Sequence, residues 1–374
     1  MTTPAATPVR WSDHVRRALS PDSTPAMVSV GIAVVIDLVV TMAVLRFALV
    51  AAGHPAEKLT HALLPPLFTG MLAFIGSMGG STRSGAIRAL ALSLLGLPLT
   101  LVAIWGRELP IIAGLALAAM AAVSGYLAWH GEPFATLGSL LLYMFFLPLV
   151  FGAGSGVGIK YLLVGYGAMA VTTVLLRLAV GLLPHHRRPP PAPATDLPGK
   201  PSLRERWKLL DQPQLRRLRR TTLRSAIGLG IGAVIMAASR DHNAVWVLMT
   251  LIAIIPPYQP LTIDRVLQRL VGTALAMVVL TVIDALIPPG VFRALLFAVG
   301  LVLTIAYLKR SYLISVLGVS LVAVIAYAGV SNSLGEALLL RGLDTVIGAV
   351  IGIGMTLLIP VGNRPQPVWA DQAP

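Results

Sequence analysis

In residues 243–284, two apolar runs flank a short polar elbow that carries Pro256, Pro257, Pro260, Asp264, Arg265, Gln268 and Arg269. Arg265, Arg269 and then Gly272 or Thr273 recur at three- and four-residue spacing. A helix starting near Ile263 therefore puts two guanidiniums and a small notch on one face. Guanidiniums at the end of a membrane helix either snorkel to lipid headgroups or turn inward and hold an anion. The spacing alone allows both.

Other ionisable groups inside apolar runs are few, and each costs roughly 2.5 to 3.5 kcal/mol at a helix centre. The candidates are Asp37, Arg46, Asp284, Arg341 and Asp344. Arg341 and Asp344 are three residues apart in LLLRGLDTVIGAVIGIG and can pair within one helix, near the outer end of the last apolar run. Thr345, Gly348 and Gly352 share their stripe. That pair is either a salt bridge beside a glycine packing face, or a carboxylate that takes up a proton while the arginine holds an anion. Asp37 lies near mid-span, where it either carries protons or pairs with an arginine of another helix. Asp37 and Arg46 stand about two and a half turns apart and cannot meet within a straight helix. Asp284, close to Pro288, is expected at the interface.

Several chemistries are excluded by what the sequence lacks. The histidines form no HExxH pair or carboxylate-histidine cluster, so neither a metal nor any other cofactor is expected. There is no aspartate-rich magnesium motif and no Walker sequence, which leaves an ion gradient as the source of energy. FGAGSGVG (residues 151–158) has glycines without the strand-before, helix-after context of a phosphate loop and reads as a connector.

The elements that must position these residues follow from composition. Of 374 residues, 56% are hydrophobic and 12% charged, with a mean hydropathy of +0.82, more apolar surface than one soluble core can hide. The expected class is an all-α integral membrane protein with about twelve transmembrane helices. Without cysteine, there is no disulfide framework from which to read a redox compartment. The net charge of +14 resides mostly in loops between apolar runs, so it speaks for membrane topology and anionic lipids rather than nucleic acid.

Residues 1–26 read as a tail, with a segment at 11–19 able to lie on the membrane surface. Residues 27–184 form a first six-span half, with spans near 27–53, 63–79, 86–105, 109–129, 135–152 and 158–183. Residues 185–221 form a Pro-rich, then basic linker, whose segment 203–218 can make a short helix against headgroups. A second half at 222–361 has spans near 222–239, 244–259, 265–287, 291–308, 312–329 and 341–360, followed by a tail at 362–374. Both sixth spans end in a proline stop, at Pro184 and Pro360, and both second-to-third elbows carry an arginine, Arg88 and Arg269, at nearly the same offset. These landmarks indicate a duplication into parallel repeats. Gly228 with Gly232, and Gly348 with Gly352, have the spacing of helix-packing pairs. Lysines and arginines concentrate on one side, which places both termini and the linker in the cytoplasm.

At the elbow, PLTIDRVLQRLVGTALAMVV (residues 260–279) resembles the fusaric acid resistance protein family, related to the bacterial aromatic acid exporters. The family's run of arginine, glutamine-arginine and glycine-threonine is matched by Arg265, Gln268, Arg269, Gly272 and Thr273. Its final span is matched by Arg341, Asp344, Ile347 and Gly348. The likeness is good over residues 220–360 and architectural over the first half, where no RxxQR stands at the elbow.

The resemblance implies two six-helix halves in the bacterial inner membrane and proton-driven export of aromatic or other organic acids, with no enzymatic activity. On that reading Arg269, Arg265, Gln268 and Arg341 bind the organic anion, and Asp344, Asp37 or Asp284 carries the proton. Gly272, Thr273, Gly348 and Gly352 pack helices. It also implies a periplasmic adaptor protein as partner and allows a homodimer. The short linker departs from relatives that carry a large cytoplasmic domain. Plant organic-anion channels are similar too, which keeps a passive channel open beside the carrier, and a non-transport scaffold beside both.

Overall fold

A computed structural model describes residues 25–53, 59–78, 81–130, 132–151, 159–182, 212–239, 245–255, 263–286, 291–307, 311–331 and 334–361. Within them the chain is all helix. The elements are α1 (Pro25–Ala51), α2 (Leu59–Ser77), α3 (Thr82–Arg107), α4 (Pro110–Ala128), α5 (Glu132–Phe151) and α6 (Ile159–Leu182), then α7 (Gln212–Ser239), α8 (Val245–Ile254), α9 (Ile263–Leu286), α10 (Val291–Ala306), α11 (Tyr312–Ser331) and α12 (Leu334–Leu358). Seven are long and apolar enough to cross a membrane: α1, α3, α4, α6, α7, α9 and α12. The other five are apolar but shorter over their described residues.

Three boundaries differ most from the sequence expectation. α7 begins at Gln212, so the basic residues from there to Leu218 continue into the seventh helix, while the rest of the expected 203–218 segment lies outside the described residues. Most of the expected linker, residues 183–211, lies outside the described residues. α12 begins at Leu334, not 341, because LGEALLL already suits a helix. Arg341 therefore sits about two turns inside the last helix, not at its mouth. α8 spans only Val245–Ile254, the run before the proline cluster.

Helix starts and ends follow local chemistry. Ser81, extended at φ −69° and ψ 157°, caps α3 by accepting a bond from the Ser84 amide, and α4 starts with Pro110 in its first turn. The turn that follows α1 holds Gly53, whose φ of 82° suits glycine. Hydroxyls at membrane depth bond back to the carbonyl four residues earlier, as Thr172, Ser225, Thr304 and Thr356 do, which spares them the cost of an unpaired polar group.

The chain divides into two compact units: residues 1–35 with 262–343, and residues 36–261 with 344–374. In the larger unit, α2, α3 and α6 are tied together by the buried Tyr166 hydroxyl. It bonds Thr69 Oγ1 at 2.9 Å and also Thr100 Oγ1. Tyr166→Phe leaves two buried hydroxyls short of a partner and is expected to cost about 1–3 kcal/mol. Thermal melts in detergent check this, and the double variant with Thr100→Val should cost less than the sum of the two singles. In the same unit α4 crosses α7 at a backbone-close contact. A side chain at Gly114 would meet the Gly230 carbonyl oxygen at 2.9 Å, and one at Gly230 would meet the Gly114 oxygen at 3.2 Å. Farther along, Gly348 of α12 lies against Thr250 and the Val247 carbonyl of α8, and Gly352 against Ile254.

In the smaller unit, Ala276 and Leu280 of α9 pack with Leu321 and Val324 of α11 as a buried apolar cluster. α10 and α11 approach through Gly300 and Gly318, and Ser315 Oγ donates to the Thr304 carbonyl across that seam at 3.1 Å. Gly31 of α1 faces the Val302 backbone of α10, where a Cβ on the glycine would stand 3.2 Å from Val302 Cα.

Candidate functional site

A cation near a membrane helix end most often satisfies the unpaired carbonyls of a neighbouring helix C-terminus. Several basic residues here do that. Arg107 donates to the Leu149 and Val150 carbonyls at 3.2 and 2.9 Å, Lys160 to Ala52 at 3.2 Å, and Arg220 to Pro360 at 3.5 Å. Arg88 and Arg177 both donate to Ser77, at 3.4 and 3.1 Å. Arg88 is exposed.

Arg269 behaves otherwise. It occupies the position in α9 that Arg88 holds in α3, yet it is only 2% exposed, and its Nε has no hydrogen-bond partner among the described residues. The neighbouring sequence explains the difference. One turn past Arg269 come Gly272 and Thr273, and the notch at Gly272 admits α11. A side chain there would meet the Leu313 carbonyl oxygen at 2.9 Å and Val316 Cγ1 at 2.8 Å. One turn past Arg88 come Ala91 and Leu92, which leave no such notch.

On the same face, Thr273 is buried, with its Oγ1 3.4 Å from the buried Ser320 Oγ of α11. Arg269, Thr273 and Ser320 thus form a polar seam between α9 and α11, and Gln268 is half-buried beside it. Such a seam can hold an anion by charge-assisted bonds from the guanidinium with hydroxyls alongside. The side chains of Arg265 and Asp284, also on α9, lie outside the described residues.

Arg341 is fully buried on α12, in the same unit as Arg269. Its neighbour Gly342 packs against Met277 of α9, with 3.2 Å between a Cβ placed there and Met277 Cε. Met277 lies eight residues beyond Arg269, so Arg341 stands about 12 Å farther along the α9 axis. Arg341 therefore lies beside α9 nearer its C-terminal end than Arg269 does. Asp344 is 8% exposed and Asp37 1% exposed, both in the larger unit. Neither oxygen of Asp37 has a hydrogen-bond partner among the described residues, and Thr41, one turn on, is buried as well. Arg46 is exposed. No group of three or more metal-ligating side chains occurs among the described residues.

Two buried cations escaped the sequence reading: Arg177 at 5% exposure and Arg224 at 1%. Both fall inside expected spans, 158–183 and 222–239, so the rule applied to Arg341 would have found them. They were hidden by neighbouring basic loops that read as topology.

Taken together, the helices define a multi-pass helical membrane protein with buried charge in its interior. Residues 229–355, which include the α9–α11 seam and Arg341, match the family model described as fusaric acid resistance protein-like. An uncharacterized protein of Synechocystis sp. (strain ATCC 27184 / PCC 6803 / Kazusa) is 31% identical over 139 residues. The aligned segment covers 37% of this chain and 18% of that relative, so the chain spans well under two thirds of the relative's length. No solved structure matches the chain.

Proposed function

We propose that the protein is an inner-membrane exporter of aromatic or other organic acids, driven by the proton gradient. The observation that carries this reading is the buried guanidinium of Arg269, with an unpartnered Nε, on a polar seam inside the family-matched segment. A monocarboxylate the size of a benzoate needs one or two charge-assisted bonds and an apolar wall. The seam offers the first through Arg269 with Gln268, Thr273 and Ser320, and the apolar cluster around Ala276 and Leu321 offers the second. Arg265 would recruit the anion at the inner end of α9, and Arg341 would receive it deeper.

Proton coupling falls to Asp37 first, with Asp344 and Asp284 as the other carriers. Asp37, whose carboxylate oxygens have no hydrogen-bond partner among the described residues, is held at membrane depth only at a cost, and that cost falls when it binds a proton. The six-plus-six arrangement in parallel repeats is supported by a recurring contact: the fourth helix of the first half meets the first helix of the second at Gly114 and Gly230, and the first helix of the first half meets the fourth of the second at Gly31 and Val302. With cytoplasmic termini, such a bundle moves its substrate by rocking around the site, with transport rather than catalysis as its output. A periplasmic adaptor and pairing into a homodimer belong to the same reading.

The test is a deletion strain challenged with a panel of aromatic acids, with efflux timed before and after a protonophore. Hypersensitivity to at least one acid, and efflux that stops with the protonophore, is the expected result. Asp37→Asn should retain binding and lose gradient-driven efflux. If Asn at 37, 284 and 344 are all tolerated and efflux follows only the anion's own gradient, the protein is a channel. Unchanged sensitivity to every acid leaves export without support.

A further inference from the structure

α9 and α11 run parallel. Gly272 of α9 lies against Leu313 and Val316 of α11, Thr273 against Ser320, and farther on Ala276 and Leu280 pack with Leu321 and Val324. Arg269 stands on this same buried stripe, one turn and about 4.5 Å before Gly272. Helical side chains lean toward the N-terminus of their own helix, so its guanidinium is carried to the level at which α11 begins.

α11 opens with the Ser315 amide donating to the Ser311 carbonyl at 3.0 Å. The amides of Leu313 and Ile314 come before that bond and have no hydrogen-bond partner among the described residues. They belong to a helix of 20 residues, whose first turn carries roughly half a positive charge. Ser311, just before the helix, is buried. Arg107 and Lys160 face the carbonyls of helix C-termini, where a cation is stabilised. Arg269 is set beside the opposite pole, and a cation there is repelled. Its burial, its unpartnered Nε and the open amides of α11 are all donors in want of an acceptor, and an oxyanion satisfies both sets at once.

We infer that Arg269 and the first turn of α11 together hold the carboxylate of the substrate, with the rest of the molecule lying farther along α9, beside Thr273, Ser320 and the apolar cluster. This rests on the reading of the α9–α11 seam as a transport site. It adds the main-chain amides of Leu313 and Ile314 to the binding groups and fixes which way the anion points. A guanidinium and a helix N-terminus select the ionised acid, so the amide or ester of the same acid is not held.

The test uses the full chain purified in maltoside micelles. Ser311→Cys puts a single thiol at the start of α11 in a chain without cysteine, and its thiolate is itself an anion. Ultraviolet thiolate absorbance followed over pH then reads the site without a transported ligand. The thiol should ionise a full pH unit or more below the ordinary value of about 8.5. It should return toward that value when combined with Arg269→Gln, or with Leu313→Pro, which deletes one amide donor in a first turn that tolerates proline. Leu313→Ala, the side-chain control, should leave it low. Saturating benzoate should raise the thiol pKa by competing for the same donors, and benzamide should not. An ordinary or raised pKa overturns the site. So does a low one that Arg269→Gln leaves unmoved, which is the end of α11 acting alone, or one that benzoate leaves unmoved or benzamide moves equally. None of these readings involves transport. A thiol that titrates as expected beside a deletion strain insensitive to every acid keeps the carboxylate site and removes export, whereas the reverse result removes the site alone.

Discussion

Arg269→Gln is expected to reduce transport of the preferred anion by about 10- to 150-fold at subsaturating concentration, the equivalent of losing one charged hydrogen-bonding partner of about 1.5–3 kcal/mol. Stability should respond differently, because of what the side chain does when no anion is bound. A guanidinium at 2% exposure loses its hydration, and the Nε of Arg269 regains no hydrogen bond among the described residues. Removing it should therefore leave the detergent melting temperature unchanged or raise it. A structural arginine gives the opposite pattern, since breaking a buried pair costs about 3–5 kcal/mol. Arg269→Lys keeps the charge and loses the planar fork, so it should fall between wild type and Gln. Uptake or efflux assays on the same purified variants, run beside melts, check both halves of this expectation.

The second large effect concerns the unit that holds the seam. Gly318→Val places a Cβ 2.5 Å from the Gly300 carbonyl oxygen and 2.7 Å from the Thr304 amide nitrogen, both backbone atoms of α10. Backbone cannot turn aside as a flexible side chain can, so α10 and α11 must separate. The Ser315 to Thr304 bond across that seam then breaks. Overpacking costs typically about 1–3 kcal/mol and the lost bond about 1 kcal/mol more, and both fall on the helix that carries Ser320. Gly167→Val is the control, since nothing lies within 4 Å of a Cβ there. The expected result is loss of folded yield and of transport in Gly318→Val and near-wild-type behaviour in Gly167→Val, read by size-exclusion profile and melting temperature.

Much of the helix layout was legible because hydropathy and length dominate at membrane depth. α4 and α10 lie within a residue or two of their expected bounds. The start of α7 was not legible, since the arginines at 216, 217, 219 and 220 obscure the apolar pattern that continues through them. The start of α12 was hidden in the same way by Glu336, which pulled the expected boundary inward.

The site was legible in part. Arg269 and Arg88 sit at matching offsets and looked equivalent; their different burial depends on whether a neighbouring helix can come close, and the only trace of that in sequence is the glycine-threonine pair after Arg269. Arg341 and Asp344 were visible as charges in an apolar run, but their depth depended on where α12 begins. The crossing of α4 over α7 left no local signal at all. It pairs residues more than a hundred positions apart, and only the small size of Gly114 and Gly230 hints that a backbone passes there.

The absence of cysteine makes one measurement especially direct. Thr273→Cys introduces a single thiol beside Arg269 on the α9–α11 seam. In membrane vesicles, its labelling rates with a negatively charged and a positively charged methanethiosulfonate reagent of similar size can be compared, with and without an aromatic carboxylate. An anion route past Arg269 predicts faster reaction with the negative reagent, slowing when the carboxylate is present, and loss of that preference in Arg269→Gln. A thiol that reacts only with membrane-soluble maleimides, or equally with both charged reagents whatever is added, would contradict it.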